Sequence, residues 1–233
     1  MRELPDGTVT ILFTDIEGST RLLLQSGDGF TALLEDHREL LRRAFQRHGG
    51  IEVDTQGDAF LVVFRRAPQA VLAAAEAQQR LADHPWPENT SVRVRMGIHT
   101  GAPVRTQEGY AGLALHQGAR IMSAGHGGQV LFSQATADLV RGDLPTGMVV
   151  RDLGVHRLKD LPEPEHLYQL EIDGLQREFP SLRTLGDRGN NLPTPATRLI
   201  GREELVQRVV GFLRRDDSDE LALVGDVKRV DTE

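Results

Sequence analysis

The chain has 233 residues, enough for one domain with a sizeable core and a smaller appendage, which argues against two complete domains. Its 34 Asp and Glu outnumber its 27 Lys and Arg, and a net charge of -7 does not favour an electrostatic surface for nucleic acid. It has no cysteine, which excludes disulfides and thiolate metal sites and favours a reducing compartment, so we expect the cytoplasm. Without an apolar signal stretch or a run of about 18 apolar residues, no membrane segment is expected.

The spacing of apolar residues predicts alternating strands and helices. The predicted elements are a strand over 9–13, a helix that starts after Gly18, a helix over 30–45, a hairpin over 51–64, helices over 68–81 and 115–122, strands over 92–98 and 129–132, a helix over 134–140, and weaker strands at 149–150 and 167–172. This order suits helices packed mainly on one face of a mixed sheet. We therefore predict an α+β, ferredoxin-like fold.

The predicted strand over 92–98 has two different faces. Val92, Met96 and their neighbours at alternate positions are apolar. The positions between them carry Arg93, Arg95 and Gly97. One face of this strand should therefore lie in the core, and the other should be basic or open.

Two aspartates stand at turns beside predicted strands. Asp15 follows the first apolar run, and Asp58 lies in the polar turn of the hairpin. If the two elements pair, both carboxylates reach one end of one sheet, and hard cations such as Mg²⁺ or Mn²⁺ need oxygen ligands of this kind. Gly18 lets the chain turn tightly into a helix, and Ser19 or Thr20 can cap its start.

The composition changes near residue 176. Residues 176–197 lack periodicity and are rich in Gly, Asn and Pro, which predicts a linker after a first domain at 1–175. Residues 198–233 contain a predicted helix over 201–213 and a possible strand over 221–224, and are too few to fold alone.

Three motifs in a fixed order carry a resemblance to a known family. They are Phe-Thr-Asp-Ile-Glu-Gly-Ser-Thr at 13–20, Gly57-Asp58, and Gly112 followed eight residues later by Arg120. Over residues 7–172 the chain resembles the catalytic domain of class III adenylyl and guanylyl cyclases. The segment at 198–233 resembles an incomplete start of a signal-transduction NTPase, because the phosphate-binding loop expected after Val224 is missing.

The resemblance implies two-metal catalysis on ATP. Asp15, the backbone carbonyl of Ile16 and Asp58 would hold two divalent ions, Mg²⁺ or Mn²⁺. One ion would help to deprotonate the ribose 3′-hydroxyl, and the other would neutralise the triphosphate. The hydroxyl then attacks the α-phosphate in line, and pyrophosphate leaves.

The resemblance also implies roles for the remaining motif residues. Gly18, Ser19 and Thr20 would present backbone N–H groups to phosphates, and Arg120 would stabilise charge developing on the α-phosphate. In this family the site lies between two subunits, with metal ligands from one and the arginine from the other. We therefore expect a homodimer and an inactive monomer.

Three positions depart from the family's pattern. Asp54, four residues before Asp58, stands where the family often has a lysine that recognises adenine. Gly109 stands where it often has an aspartate that also contacts the base, and His116 replaces an asparagine that orients the ribose. His116 and Arg120 are four apart on a helix and share a face. These departures predict weak, Mn²⁺-favouring activity with reduced discrimination between bases.

The expected function is conversion of ATP to 3′,5′-cyclic AMP and pyrophosphate in intracellular signal transduction, with low turnover. The alternative is a catalytically degenerate cyclase-like domain that serves as a nucleotide-binding or dimerisation regulatory module. A polymerase-like enzyme with the same metal arrangement fits the spacing around Arg120 less well.

The candidate side chains also have simpler interpretations. Asp15 could cap a helix or be a surface carboxylate, Asp58 could be a turn residue, and Arg120 could be a solvated charge or an ion-pair partner. Lys159 could reach the triphosphate or lie on the surface. The eight histidines show no zinc-binding spacing, so a structural zinc site is not expected.

Overall fold

A mixed sheet organises the protein. The computed structural model describes residues 4–87, 90–107 and 109–185. Among these residues the main sheet has seven strands in the order β2-β3-β1-β4-β7-β9-β8, and β5 and β6 form a separate hairpin. The strands are β1 (Val9–Ile16), β2 (Ile51–Gln56), β3 (Ala59–Phe64), β4 (Val94–Gly101), β5 (Val104–Thr106), β6 (Gly109–Ala111), β7 (Val130–Ser133), β8 (Met148–His156) and β9 (Glu165–Ile172). The helices are α1 (Ser19–Ser26), α2 (Phe30–Arg47), α3 (Ala67–Asp83), α4 (Leu113–Ala124) and α5 (Gln134–Val140), with a 3₁₀ turn at Gly27–Gly29.

The predicted α+β fold is confirmed. β4 and β7 are parallel, whereas the other neighbouring strands of the main sheet are antiparallel, so the sheet is mixed. Apolar side chains of α2, α3 and α5 pack with Leu12 of β1 and Met96 of β4 in one large core. Most helices therefore lie on one face, as the order of elements predicts. None of the helices in the described part of the chain combines the length and apolar character needed to cross a membrane.

The opposite face of β4, predicted to be basic or open, is basic at Arg95 and is covered by α4 at Gly97. A Cβ added to Gly97 would lie 2.3 Å from the backbone nitrogen of Met122 in α4, so only glycine allows this approach. On the same helix, a Cβ at Gly118 would lie 3.0 Å from the ring of Phe13 in β1. Close backbone contact therefore fixes α4 against the two strands at the centre of the sheet.

Local details differ from the predictions at helix starts and in one hairpin. Gly18 is the N-cap of α1 with φ 70, and no side chain caps this helix, so the capping predicted for Ser19 or Thr20 is wrong. The Ser133 hydroxyl, next to the start of α5, lies 2.9 Å from Nδ1 of His99, and no side chain caps α5. The strands β5 and β6 lie between residues 98 and 115, where no element is predicted, because strands of three residues show no clear alternation.

Residues 176–185, predicted as linker by composition, lie against the domain. Leu182 is 6% exposed and packs with Ile121 and Leu158. Composition misses this segment because a single buried apolar side chain produces no periodicity. The rest of the predicted linker and the NTPase-like segment at 198–233 lie outside the described residues, and the division of the chain at 175 and 197 stays a prediction.

His37 is a buried histidine in α2. It is 0% exposed, and neither ring nitrogen has a hydrogen-bond partner among the described residues. Burial, with a smaller contribution from Arg38, lowers the pKa of His37 to about 4. Burial also lowers the pKa of His99 to about 4. Both rings are therefore neutral in the folded protein at neutral pH.

The free energy of unfolding is expected to fall as the pH falls from about 6.5 to about 4. In this window the unfolded chain binds protons at both histidines and the folded chain does not, so protonation favours unfolding by up to ~3 kcal/mol per histidine. Urea unfolding at several pH values measures the loss. His37→Leu should make the pH dependence shallower, whereas His116→Gln, at an exposed position, should not. An unchanged slope in His37→Leu would contradict this assignment.

Candidate active site

The two predicted metal-binding aspartates come together at one end of the sheet, beside the central strand β1. Asp15 lies near the end of β1, and Asp58 lies in the turn between β2 and β3, where β3 pairs with β1. The carboxylate Oδ2 of Asp58 accepts a hydrogen bond from the Ile16 N–H at 2.8 Å. Burial raises the pKa of Asp58, and the Asp15 carboxylate within hydrogen-bonding reach raises it further, against the opposing effect of the Ile16 amide.

Arg95 forms an ion pair with Asp15 that the sequence analysis did not identify. The two residues lie opposite each other in the β1–β4 ladder. Nε of Arg95 donates to Oδ2 of Asp15 at 2.8 Å, and Nη2 donates to the same oxygen. The alternation of β4 predicts a basic face, but only the register between strands shows which acidic residue Arg95 meets. The guanidinium supplies one positive charge beside two carboxylates.

The oxygen ligands at this end of the sheet fit a divalent cation. Among the described residues, no group of three or more His, Cys, Asp or Glu side chains could hold a metal ion. A cation bound by Asp15, Asp58 and the Ile16 carbonyl would therefore need further ligands from water or substrate phosphates, which is the usual arrangement for Mg²⁺. The pKa of Asp58 is raised mainly by burial and further by the neighbouring Asp15 carboxylate, and a bound cation would oppose both effects by stabilising the ionised form. Such a cation would share Oδ2 of Asp15 with Arg95 or displace it.

The turn after β1 leads directly into a helix start. Gly18 has φ 70 and ψ 34, a left-handed conformation that favours glycine. The next residues, Ser19 and Thr20, begin α1. The first N–H groups of a helix have no partner inside the helix and can bind an anion. This turn therefore places potential phosphate-binding groups within five residues of Asp15.

Neither predicted catalytic side chain of α4 forms an ion pair or hydrogen bond with Asp15 or Asp58 among the described residues. His116 is exposed, and Arg120 donates from Nη2 to Oδ2 of Asp160 in the β8–β9 connection. Among the described residues, Arg120 has no ion pair with Asp15 or Asp58. Asp160 is the one non-glycine residue with positive φ in the described part of the chain, at 60°. Lys159 beside it is exposed, so its predicted surface position agrees with the structure.

Gly109 packs against β2 at Val53, the residue before Asp54. A Cβ on Gly109 would lie 3.0 Å from Cγ1 of Val53, the neighbour of Asp54 in β2. Gly109 also has φ 146, so an aspartate at this position would be strained. The Asp54 carboxylate accepts hydrogen bonds from the Thr55 N–H and from Nε2 of Gln56, both at 2.8 Å. The glycine is thus explained by the packing of the β5–β6 hairpin on β2.

Known proteins resemble this chain over most of its length. An uncharacterised protein of Mycobacterium tuberculosis is 35% identical over 201 residues, which cover 85% of this chain and 68% of that protein. A receptor-type adenylate cyclase of Trypanosoma brucei brucei is 31% identical over 77% of this chain but only 18% of its own length. The solved structure of a Trypanosoma brucei adenylate cyclase in its monomeric state has a TM-score of 0.71 and 29% identity, covering 78% of this chain and 96% of the solved chain.

The family described as "Adenylate and Guanylate cyclase catalytic domain" matches residues 2–171. This range contains the acidic pair, the turn at Gly18 and all of α4. The structural neighbours have the same fold, and they include both adenylate and guanylate cyclases. The chain therefore belongs to the family of adenylate and guanylate cyclase catalytic domains.

Proposed function

We propose that the protein is a nucleotidyl cyclase that converts ATP to 3′,5′-cyclic AMP and pyrophosphate in intracellular signal transduction, with Mg²⁺ or Mn²⁺. The observation that carries the proposal is the close approach of Asp15 and Asp58 beside a helix start, because this arrangement suits divalent cations and a polyphosphate together. Adenylate cyclases among the relatives support the same reaction. The absence of cysteine suits a reducing compartment, and we place the reaction in the cytoplasm.

Each residue of the site has a definite task in this proposal. Asp15, the Ile16 carbonyl and Asp58 would hold the cations. When bound, divalent cations supply neutralisation of the triphosphate and a lower pKa for the ribose 3′-hydroxyl. The backbone N–H groups at 18–20 would bind phosphate oxygens at the start of α1. Arg95, once it leaves Asp15, would add a second positive charge beside the phosphates.

Arg120 and His116 would act from a second copy of the chain. Within one chain Arg120 pairs with Asp160, so a homodimer would have to bring this helix to the acidic pair of its partner. Two apolar side chains near the start of α4 support such an interface: Val104 is 66% exposed and Leu113 is 53% exposed. Arg120 would then stabilise charge on the α-phosphate, and His116 would contact the ribose.

A guanine nucleotide is a second candidate substrate, because of Asp54. A carboxylate only accepts hydrogen bonds, and the Watson–Crick edge of guanine offers two neighbouring N–H donors. Adenine offers a single amino group on that edge. Guanylate cyclases also occur among the proteins with this fold.

The first prediction concerns the metal-binding pair. Purified full-length protein should form cyclic nucleotide with Mn²⁺ and more slowly with Mg²⁺, and a chelator should abolish the product. Asp58→Ala should lower turnover at least ~100-fold because one of two carboxylate ligands is lost. The matched control is Asp138→Asn, an exposed aspartate of α5, which should keep full turnover.

Product that survives Asp58→Ala would contradict the proposed site. Metal-dependent nucleotide binding without product would instead support the degenerate regulatory module. Equilibrium binding of ATP in the presence of Mn²⁺, measured alongside turnover, separates these two results.

The second prediction concerns the base. With no lysine at position 54 and no aspartate at 109, each missing base contact costs ~1–3 kcal/mol, so kcat/KM for ATP and GTP should differ by less than about tenfold. Asp54→Asn keeps the size of the side chain and removes its charge, and it should lower GTP turnover more than ATP turnover. A preference above about a thousandfold for either nucleotide in the unmodified protein would contradict this prediction.

The third prediction concerns the dimer. Arg120→Ala and Asp58→Ala should each be inactive alone. An equal mixture should recover about a quarter of the activity, because half of the dimers are mixed and each mixed dimer has one complete site. Recovery should require exchange of subunits between dimers. The control is therefore a mixture of the two variants, each cross-linked as a homodimer before they are combined. No recovery after verified exchange would mean that both residues serve the same protomer.

A further inference from the structure

A segment beyond the family match is attached to the domain by a buried anchor. Residues 176–185, which we call the strap, follow the matched range 2–171. Leu182 in the strap is 6% exposed. It packs in an apolar cluster formed by Ile121 and Ala124 of α4, Leu131 of β7, Leu158 of the β8–β9 connection, and Leu167 of β9. Burying a leucine contributes roughly 1.5–3 kcal/mol, enough to hold the segment in place.

Backbone hydrogen bonds connect the strap to two elements of the proposed site. The Arg183 N–H donates to the carbonyl of Ala124, the last residue of α4, at 2.9 Å. The Leu185 N–H donates to the carbonyl of Arg157 at 3.0 Å, in the connection that continues to Asp160. The strap therefore contacts both the helix that carries Arg120 and the connection that holds it.

The side chain of Arg183 reaches the turn that follows β1. Its Nη2 forms an ion pair with Oε1 of Glu17, the residue between Ile16 and Gly18. Glu17 also accepts a hydrogen bond from the Gly127 N–H, and Nδ1 of His126 lies 3.8 Å from its carboxylate. Nε2 of His126 in turn lies 3.0 Å from the Ser181 carbonyl of the strap.

These contacts form one connected cluster on the metal-binding turn. An exposed ion pair alone stabilises little, because ordering two long side chains offsets most of the attraction. Here the backbone around Arg183 is already fixed, by the buried Leu182 and the Arg183 N–H bond to Ala124 on one side and by the Leu185 N–H bond to Arg157 on the other. Less side-chain freedom remains to be lost, so the contact can constrain the turn.

We propose that Arg183 is a positioning residue for the turn at 16–20, and that the strap couples this turn and α4 to the chain that follows. This inference rests on the proposed function, in which the turn holds cations and phosphates. A partner or ligand that displaces the strap would loosen the turn and the end of α4 together. The strap is thus a route by which the rest of the chain can regulate the site.

The test uses the full-length chain and a matched pair of variants. Arg183→Gln removes the ion pair with Glu17, whereas Arg177→Gln removes another strap arginine that pairs with Asp173, away from the turn. Hydrogen–deuterium exchange of peptides covering residues 13–22, Mn²⁺ affinity from direct titration, and KM and kcat for Mn-ATP are measured for both. Thermal unfolding midpoints record any general loss of stability.

Arg183→Gln should speed amide hydrogen exchange at residues 16–20 and weaken Mn²⁺ binding. It should raise KM for Mn-ATP about 3–10-fold and change kcat less than about twofold, because the turn contributes to binding of the substrate in its ground state. Arg177→Gln should change none of these. Arg183→Lys should restore part of the loss. In the double variant with Glu17→Gln, the effects on Mn²⁺ affinity should not add, because the two residues act through one contact.

Equal exchange and equal Mn²⁺ affinity in Arg183→Gln and Arg177→Gln would overturn the inference. The proposed function has its own test, because it is wrong if the unmodified protein makes no cyclic nucleotide. In that case, hydrogen–deuterium exchange and Mn²⁺ titration still decide whether the strap positions the turn.

Discussion

The carboxylates of Asp15 and Asp58 lie close together, half-buried, at one end of the sheet. They repel each other, and contacts with neighbouring groups offset part of this repulsion. The Ile16 amide donates to Asp58, and Arg95 donates twice to Asp15. Neither contact neutralises both groups, and the pKa of Asp58 stays raised. In the proposed function, a divalent cation would stabilise the ionised form of both carboxylates and so offset the cost of burying them close together. The turn at 16–20 and α4 would then act on the substrate through their positions relative to this pair.

The sheet fixes the pair, and α4 is fixed to the same strands. Gly97 lets the backbone of α4 approach β4, and Gly118 lets it approach Phe13 two residues before Asp15. A rigid helix on this face carries Arg120 and His116, yet within one chain Arg120 is held by Asp160. Among the described residues, Arg120 therefore has an ion-pair partner other than the acidic pair. In the proposed dimer, a second protomer would bring Arg120 to the acidic pair without moving α4 from its close contacts.

Features of the site that depend on the pattern of residues along one element could be predicted from the sequence, whereas side-chain contacts between distant elements could not. The convergence of Asp15 and Asp58 was predictable, because a strand and a neighbouring hairpin, once paired, bring their ends together. Arg95 was not, because its partner is set by the register between β1 and β4, which no periodicity within one strand contains. The strap was missed for a similar reason, since Leu182 is a single apolar residue among polar ones. The cap at Gly18 was misassigned because Ser and Thr are good caps in general, and a left-handed glycine removed the need for one here.

The metal-binding pair and the base-contacting positions are under different physical constraints, and this difference explains why one is kept while the other departs from the family's pattern. Asp15 lies on β1, which pairs with both β3 and β4, and Asp58 lies in the turn that leads into β3. Gly109 is set by the packing of a short hairpin on Val53, where a side chain would be strained by φ 146 and by a 3.0 Å contact. An aspartate at 109 would therefore require the hairpin to move away from β2. In the proposed function, selectivity for the base would therefore depend on the packing of one surface hairpin, whereas cation binding would depend on strands near the centre of the sheet.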